Sequence, residues 1–139
     1  MKSKNNLLTI ISLVAMLSML AIAYGLDRVL QIQQREAIAT FQFAPYLLLS
    51  ILGVLVFVAT WLAFSWFILI IMMPSMMIGV TYGVVGLTIL LYPFVSLLFP
   101  PLPILPYSFE PRFTYTSVFI TVIGLLTILR ASQSKSREL

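Results

Sequence analysis

Acid–base or metal chemistry in this chain would have to come from four carboxylates, Asp27, Glu36, Glu110 and Glu138, because histidine and cysteine are both absent. The pair closest in sequence, Asp27 and Glu36, falls on different sides of a helix, and each member adjoins an arginine, Arg28 or Arg35. Carboxylates that share acid–base work have to converge on one reacting atom, so these read as neutralised surface charge. Without thiol or imidazole, the usual zinc sites, thiol nucleophiles, disulfides and commonest haem ligands fall away. The expectation is a protein that is not an enzyme, with no catalytic, metal or cofactor-binding residue. A pigment, a quinone or a structural lipid stays open as a bound group.

The elements that would position any such residue are set by composition. Of 139 residues, 61% are hydrophobic and 9% charged, against roughly 45–50% and about 25% for soluble domains. Too few polar residues remain to cover a water-facing surface, so the chain belongs in lipid as a single domain. Its net charge of +4 is no nucleic-acid signal, since Lys2, Lys4, Arg130, Lys135 and Arg137 sit at the two ends. Expected partners are membrane lipids and other integral membrane proteins, with neither nucleic acid nor metal.

Four apolar stretches are long enough to cross about 30 Å of hydrocarbon as helices. They cover residues 7–26, 46–73, 75–99 and 113–130, and all twelve charged residues lie outside them or at their edges. The fold class is therefore an all-α integral membrane protein, with four transmembrane helices arranged as two helical hairpins. The first stretch has a rival reading, because Ala21-Ile22-Ala23 fits the small-x-small pattern of signal-peptide cleavage; its apolar run is longer than usual for that role. With both termini in the cytoplasm, stroma or matrix, five of the eight basic residues fall on that side. Arg28, Arg35 and Arg112 are then balanced outside by Asp27, Glu36 and Glu110, as the positive-inside rule favours. A bacterial inner membrane and a thylakoid or organellar membrane fit equally. Pro74 is the turn expected between the second and third spans, with a kinked re-entrant element as its alternative.

Two helix faces suggest how the spans pack. Ser75, Gly79, Gly83 and Gly86 recur at spacings of four, four and three, which keeps them on one side and lets a neighbour approach closely. Phe57, Trp61 and Phe64 line one side of the second span. A hairpin turning at Pro74 would bring Trp61 to Gly86 or Leu87 and Phe64 to Gly83 or Val84, the rings filling the glycine groove. The competing use of the same rings is a pigment, quinone or lipid site. Ser117, Thr121 and Gly124 repeat the small-residue theme on the fourth span, and with Thr81 and Thr88 they could form a polar track. No span carries Asp, Glu, Lys, Arg or His in its interior, the usual marks of an ion path.

The outer connections carry the rest. Residues 27–44 lack glycine and proline and suit a helix, either extending the first span or lying at the headgroups. In the second connection Pro100, Pro103 and Pro106 recur every three residues, the period of a polyproline II rod. Its side chains stay apolar up to Ser108, and with Tyr107 and Phe109 it is the candidate partner-contact loop. Glu110 and Arg112 would serve each other or lipid headgroups. The tail from Arg130 is expected to be disordered. The functional expectation is a non-catalytic subunit, scaffold or assembly factor of a larger membrane complex. The alternative is a homo-oligomeric small transporter or channel.

Overall fold

A computed structural model describes residues 2–68, 75–105 and 110–137, with side chains from Asn6 onward. Within them the chain is helical, with no strand: α1 is Lys2–Thr40, α2 Ala44–Trp66, α3 Met76–Leu98 and α4 Pro111–Arg137. All four helices are long and apolar enough to cross a membrane. The expected turn at Pro74 lies outside the described residues, as do Pro106, Tyr107 and Phe109.

The first helix takes the extended of its two expected forms. Its 39 residues correspond to about 58 Å at 1.5 Å per residue, far more than one hydrocarbon layer. Nothing stops it before Phe41, whose φ of 56° breaks the helix. Phe43 then starts α2, its carbonyl accepting the Leu47 N–H at 2.9 Å, with Pro45 in the first turn where a missing N–H costs nothing. The fourth helix also outruns expectation. It continues through the polar tail to Arg137, with Lys135 and Arg137 in its last turn. An established helix adds residues cheaply, and terminal cations suit the negative end of its dipole.

Helices α3 and α4 form the tightest pair. A Cβ placed on Gly79 would come within 2.9 Å of the Gly124 carbonyl, and one on Gly86 within 2.8 Å of the Ser117 carbonyl. Seven residues forward on α3 match seven backward on α4, so the two run antiparallel with their backbones almost touching. The glycine face therefore packs on α4, and the expectation that α2 rings fill it is overturned. Its physical reason is complementarity of size: Ser117, Thr121 and Gly124 present a small surface that two helix backbones can share.

The α2 rings pack elsewhere. Trp61 stacks on Phe119 of α4 with centroids 4.5 Å apart and also meets Phe57, while Phe64 stacks on Tyr82 of α3 at 6.0 Å. Around them Met16, Met19, Leu20, Ile78, Ile120 and Ile123 close the core. Tyr82 is fully buried and donates its hydroxyl to the Ser12 carbonyl at 2.5 Å, tying α3 to α1. Trp61 Nε1 is buried with no acceptor among the described residues. Replacing Trp61 by Phe removes an unsatisfied donor, which offsets the lost ring area. The Trp61→Phe protein should melt in detergent within about 1 kcal/mol of the parent; a larger loss would mean the N–H does have a partner.

Among the described residues α2 runs beside α1, and its rings Trp61 and Phe64 reach α4 and α3. Its buried residues among those described are Gly53 and Phe64.

Candidate functional site

The residues read as loose surface charge form a buried polar cluster where α1 passes the start of α4. Asp27 is 2% exposed. Its carboxylate accepts the Arg112 Nη1 donor at 3.1 Å and the Phe113 backbone N–H at 3.0 Å. Pro111 opens α4 and supplies no N–H, and Asp27, from another helix, caps the Phe113 N–H in the first turn, where a negative charge also meets the positive end of the α4 dipole. Glu110, 3% exposed, accepts the Gln31 Nε2 donor at 2.7 Å and lies 3.9 Å from Arg28 Nε. Arg28 donates to the Tyr24 hydroxyl at 3.0 Å, and its guanidinium lies 5.2 Å from the Tyr24 ring centre. The Tyr24 ring in turn meets Phe113 edge-on at 6.2 Å.

Two expectations are corrected here. Asp27 is interior, whereas Glu36 is exposed and accepts a bond from Gln33, so the two carboxylates are not brought together. Glu110 and Arg112 pair across to α1 and not with each other. A helix of spacing 3.6 puts Asp27 and Gln31 on one side, one turn apart, and that side meets the first turn of α4. The available signal was Glu110-Pro111, a helix start with proline at its first position.

Register sets the depth of this cluster. A Cβ placed on Gly53 of α2 would meet Leu30 Cδ1 of α1 at 3.5 Å. One cavity of about 320 Å³ runs between Ile22–Leu30 and Leu49–Val56, and another of about 410 Å³ between Ala15–Ile22 and Thr60–Phe67. The antiparallel register therefore brings residues 55–56, the middle of α2, level with Asp27. From there α2 rises about twelve residues to Ala44, or roughly 17 Å at helical rise. The α3–α4 register places Leu98 about six residues, roughly 9 Å, above the start of α4. The ionic cluster therefore lies beside the middle of a hydrophobic helix.

The upper half of α2 cannot be left in water cheaply. Leu47, Leu48, Ile51 and Leu52 are 56–64% exposed. Fully burying such a side chain is worth about 1.5–3 kcal/mol, so covering all four with hydrocarbon gains on the order of 4–7 kcal/mol. Insertion of a charge at mid-helix costs about 2.5–3.5 kcal/mol, which bonding within the cluster reduces.

The remaining candidate residues divide. Ser75, half-buried, precedes α3 without a side-chain cap bond, and Gly79, Gly83 and Gly86 are buried. Ser117 and Thr121 donate to the Phe113 and Ser117 carbonyls of their own helix at 2.9 and 2.8 Å, and Thr81 and Thr88 likewise bond back to α3. These hydroxyls do not form one track. In the connection between α3 and α4 the Leu102 N–H bonds to the Phe99 carbonyl at 3.0 Å. Such an internal bond belongs to a turn and not to a polyproline II rod, so the rod does not begin at Pro100. The Tyr92 hydroxyl donates to the Pro103 carbonyl at 2.8 Å and ties the segment to α3. Pro100 and Pro103 are exposed, as are Leu97, Leu98, Phe99, Leu102 and Ile104. Compared with protein-family models, with curated proteins and with solved structures, the chain matches none, and the geometry itself has to carry its functional reading.

Proposed function

We propose that the chain is a non-catalytic subunit, scaffold or assembly factor of a larger membrane complex. The observation that carries this reading is the position of α2. It is held by α1, reaches the core through Trp61 and Phe64, and leaves a row of large apolar side chains from Leu47 to Val58 uncovered. Lateral surface of that kind is what a bundle offers to neighbouring helices or lipids. The exposed apolar segment from Leu97 to Ile104, tethered at Pro103, offers a second surface outside the spans. In this reading both termini lie on the cytoplasmic, stromal or matrix side, in a bacterial inner membrane or an organellar one, because the basic ends belong there. Purification in mild detergent followed by native mass spectrometry tests the proposal. A stable complex with other integral membrane proteins is expected, and a lone or purely homomeric species would count against it.

The second reading, a homo-oligomeric transporter or channel, gains from one observation. Two carboxylates, Asp27 and Glu110, are buried beside the middle of α2, and ionisable groups at membrane depth commonly mark ion or substrate paths. Ion flux through liposomes carrying only this chain is its test.

A further inference from the structure

We propose that Arg28 and Arg35 of α1 form a binding site for the phosphate headgroup of an anionic phospholipid. At 3.6 residues per turn, Ile10, Leu17, Tyr24, Arg28 and Arg35 fall on one line along α1, within about 40° of one another. Ile10 and Leu17 are exposed on the lower part of this line, which leaves it facing lipid chains. The uncharged run beneath the arginines, residues 7–26, measures about 30 Å, one hydrocarbon thickness. On this side of the molecule the guanidiniums therefore stand at the height of the headgroups. Ile32 and Ile38, also exposed, keep apolar surface on both sides of them.

What the membrane meets along this line is positive. Asp27 and Glu110 are buried and turn inward, Asp27 onto Arg112 and the Phe113 N–H, Glu110 onto Gln31. Glu36 is exposed, but it bonds to Gln33 and lies about 100° round the helix from Arg35. Arg28 is exposed and its Nε is held by the Tyr24 hydroxyl, with the guanidinium over the Tyr24 ring. Glu110 approaches that same Nε at 3.9 Å, and both Nη groups make no hydrogen bond with a described residue. Arg35, also exposed, makes no bond with any described residue. A guanidinium fork matches two phosphate oxygens at once. Two such forks on one line favour a net-negative lipid over a zwitterionic one, whose choline would bring a third cation to them.

Native mass spectrometry of the full chain in detergent tests the site, with phosphatidylglycerol and phosphatidylcholine of identical chains added in equal amounts. A basic side chain beside an anionic lipid surface changes affinity by about fivefold. The parent should retain phosphatidylglycerol over phosphatidylcholine by at least about tenfold. Arg35→Gln, which breaks no bond, should cut that ratio about fivefold, and Arg28→Gln/Arg35→Gln should bring it within about twofold of unity. Lys135→Gln/Arg137→Gln removes the same charge from the tail and should leave the ratio unchanged. An equal fall in that tail variant would overturn the site, by showing that net charge alone selects the lipid. A parent without preference, or an unchanged ratio in Arg35→Gln, would overturn it as well. Arg28 bonds to Tyr24, so Arg35→Gln decides the matter if the double variant fails to fold. Displacement of phosphatidylglycerol by millimolar inorganic phosphate would make free phosphate the ligand and overturn the lipid.

Discussion

Leucine at Gly124 should separate α3 from α4. A Cβ at that position would lie 2.6 Å from the Gly83 nitrogen and 2.8 Å from the Gly79 carbonyl oxygen. Both atoms are helix backbone and cannot swing aside as a flexible side chain would. Accommodating the substitution moves a whole helix, and α3–α4 is the tightest contact in the fold. We expect a loss of about 3 kcal/mol, the upper end of ordinary overpacking. In a chain of this length that lowers the detergent melting temperature by roughly 10 °C. Gly83→Ala is the matched control on the facing helix. A Cβ there meets nothing within 4 Å, and the exchange removes a flexible residue from a helix interior, so stability should hold or rise by up to about 1 kcal/mol. If Gly124→Leu melts like the parent, the close approach of the two backbones is wrong.

The second large effect is expected at Asp27. Truncation to alanine strands the Arg112 guanidinium and the Phe113 N–H, which the carboxylate now satisfies together. Breaking one side of a buried ion pair costs about 3–5 kcal/mol, because the surviving charge is left uncompensated. The Arg112 side chain keeps 21% of its exposure, so the low end, about 3 kcal/mol, applies. Removing both partners should cost less than the two single losses added, since Asp27→Ala/Arg112→Ala leaves no orphan charge. Additive losses across the four proteins, measured by melting in detergent, would show that the pair is not coupled and that the cluster does not hold α1 against α4.

The sequence carried much of this fold openly. The four apolar runs are long, the charges keep to their edges, and glycines at Gly79, Gly83 and Gly86 fall on one side of α3 by spacing alone. What it left hidden were pairings. The short connection at Pro74 made α2 the obvious neighbour for the glycine face, yet nearness along the chain does not choose the partner. Close approach of two backbones requires small residues on both helices, and α4 supplies them with Ser117, Thr121 and Gly124, whereas α2 presents rings. Phe119, one position from Ile120 in the core, gave no local sign that it would receive Trp61.

The candidate site was legible only as a set of residues. Asp27, Gln31, Glu110 and Arg112 look like ordinary loop polarity when read singly, because their meaning depends on contacts between residues about eighty positions apart. Composition and hydrophobic spacing are sums over local properties, so they decided by themselves that this chain makes long apolar helices suited to lipid, and which side of each helix could pack. Tertiary structure alone decided how far one helix slides past another. That slide brings Asp27 beside the middle of α2 and onto the first turn of α4, and a charge whose solvation depends on its depth takes its role from that register.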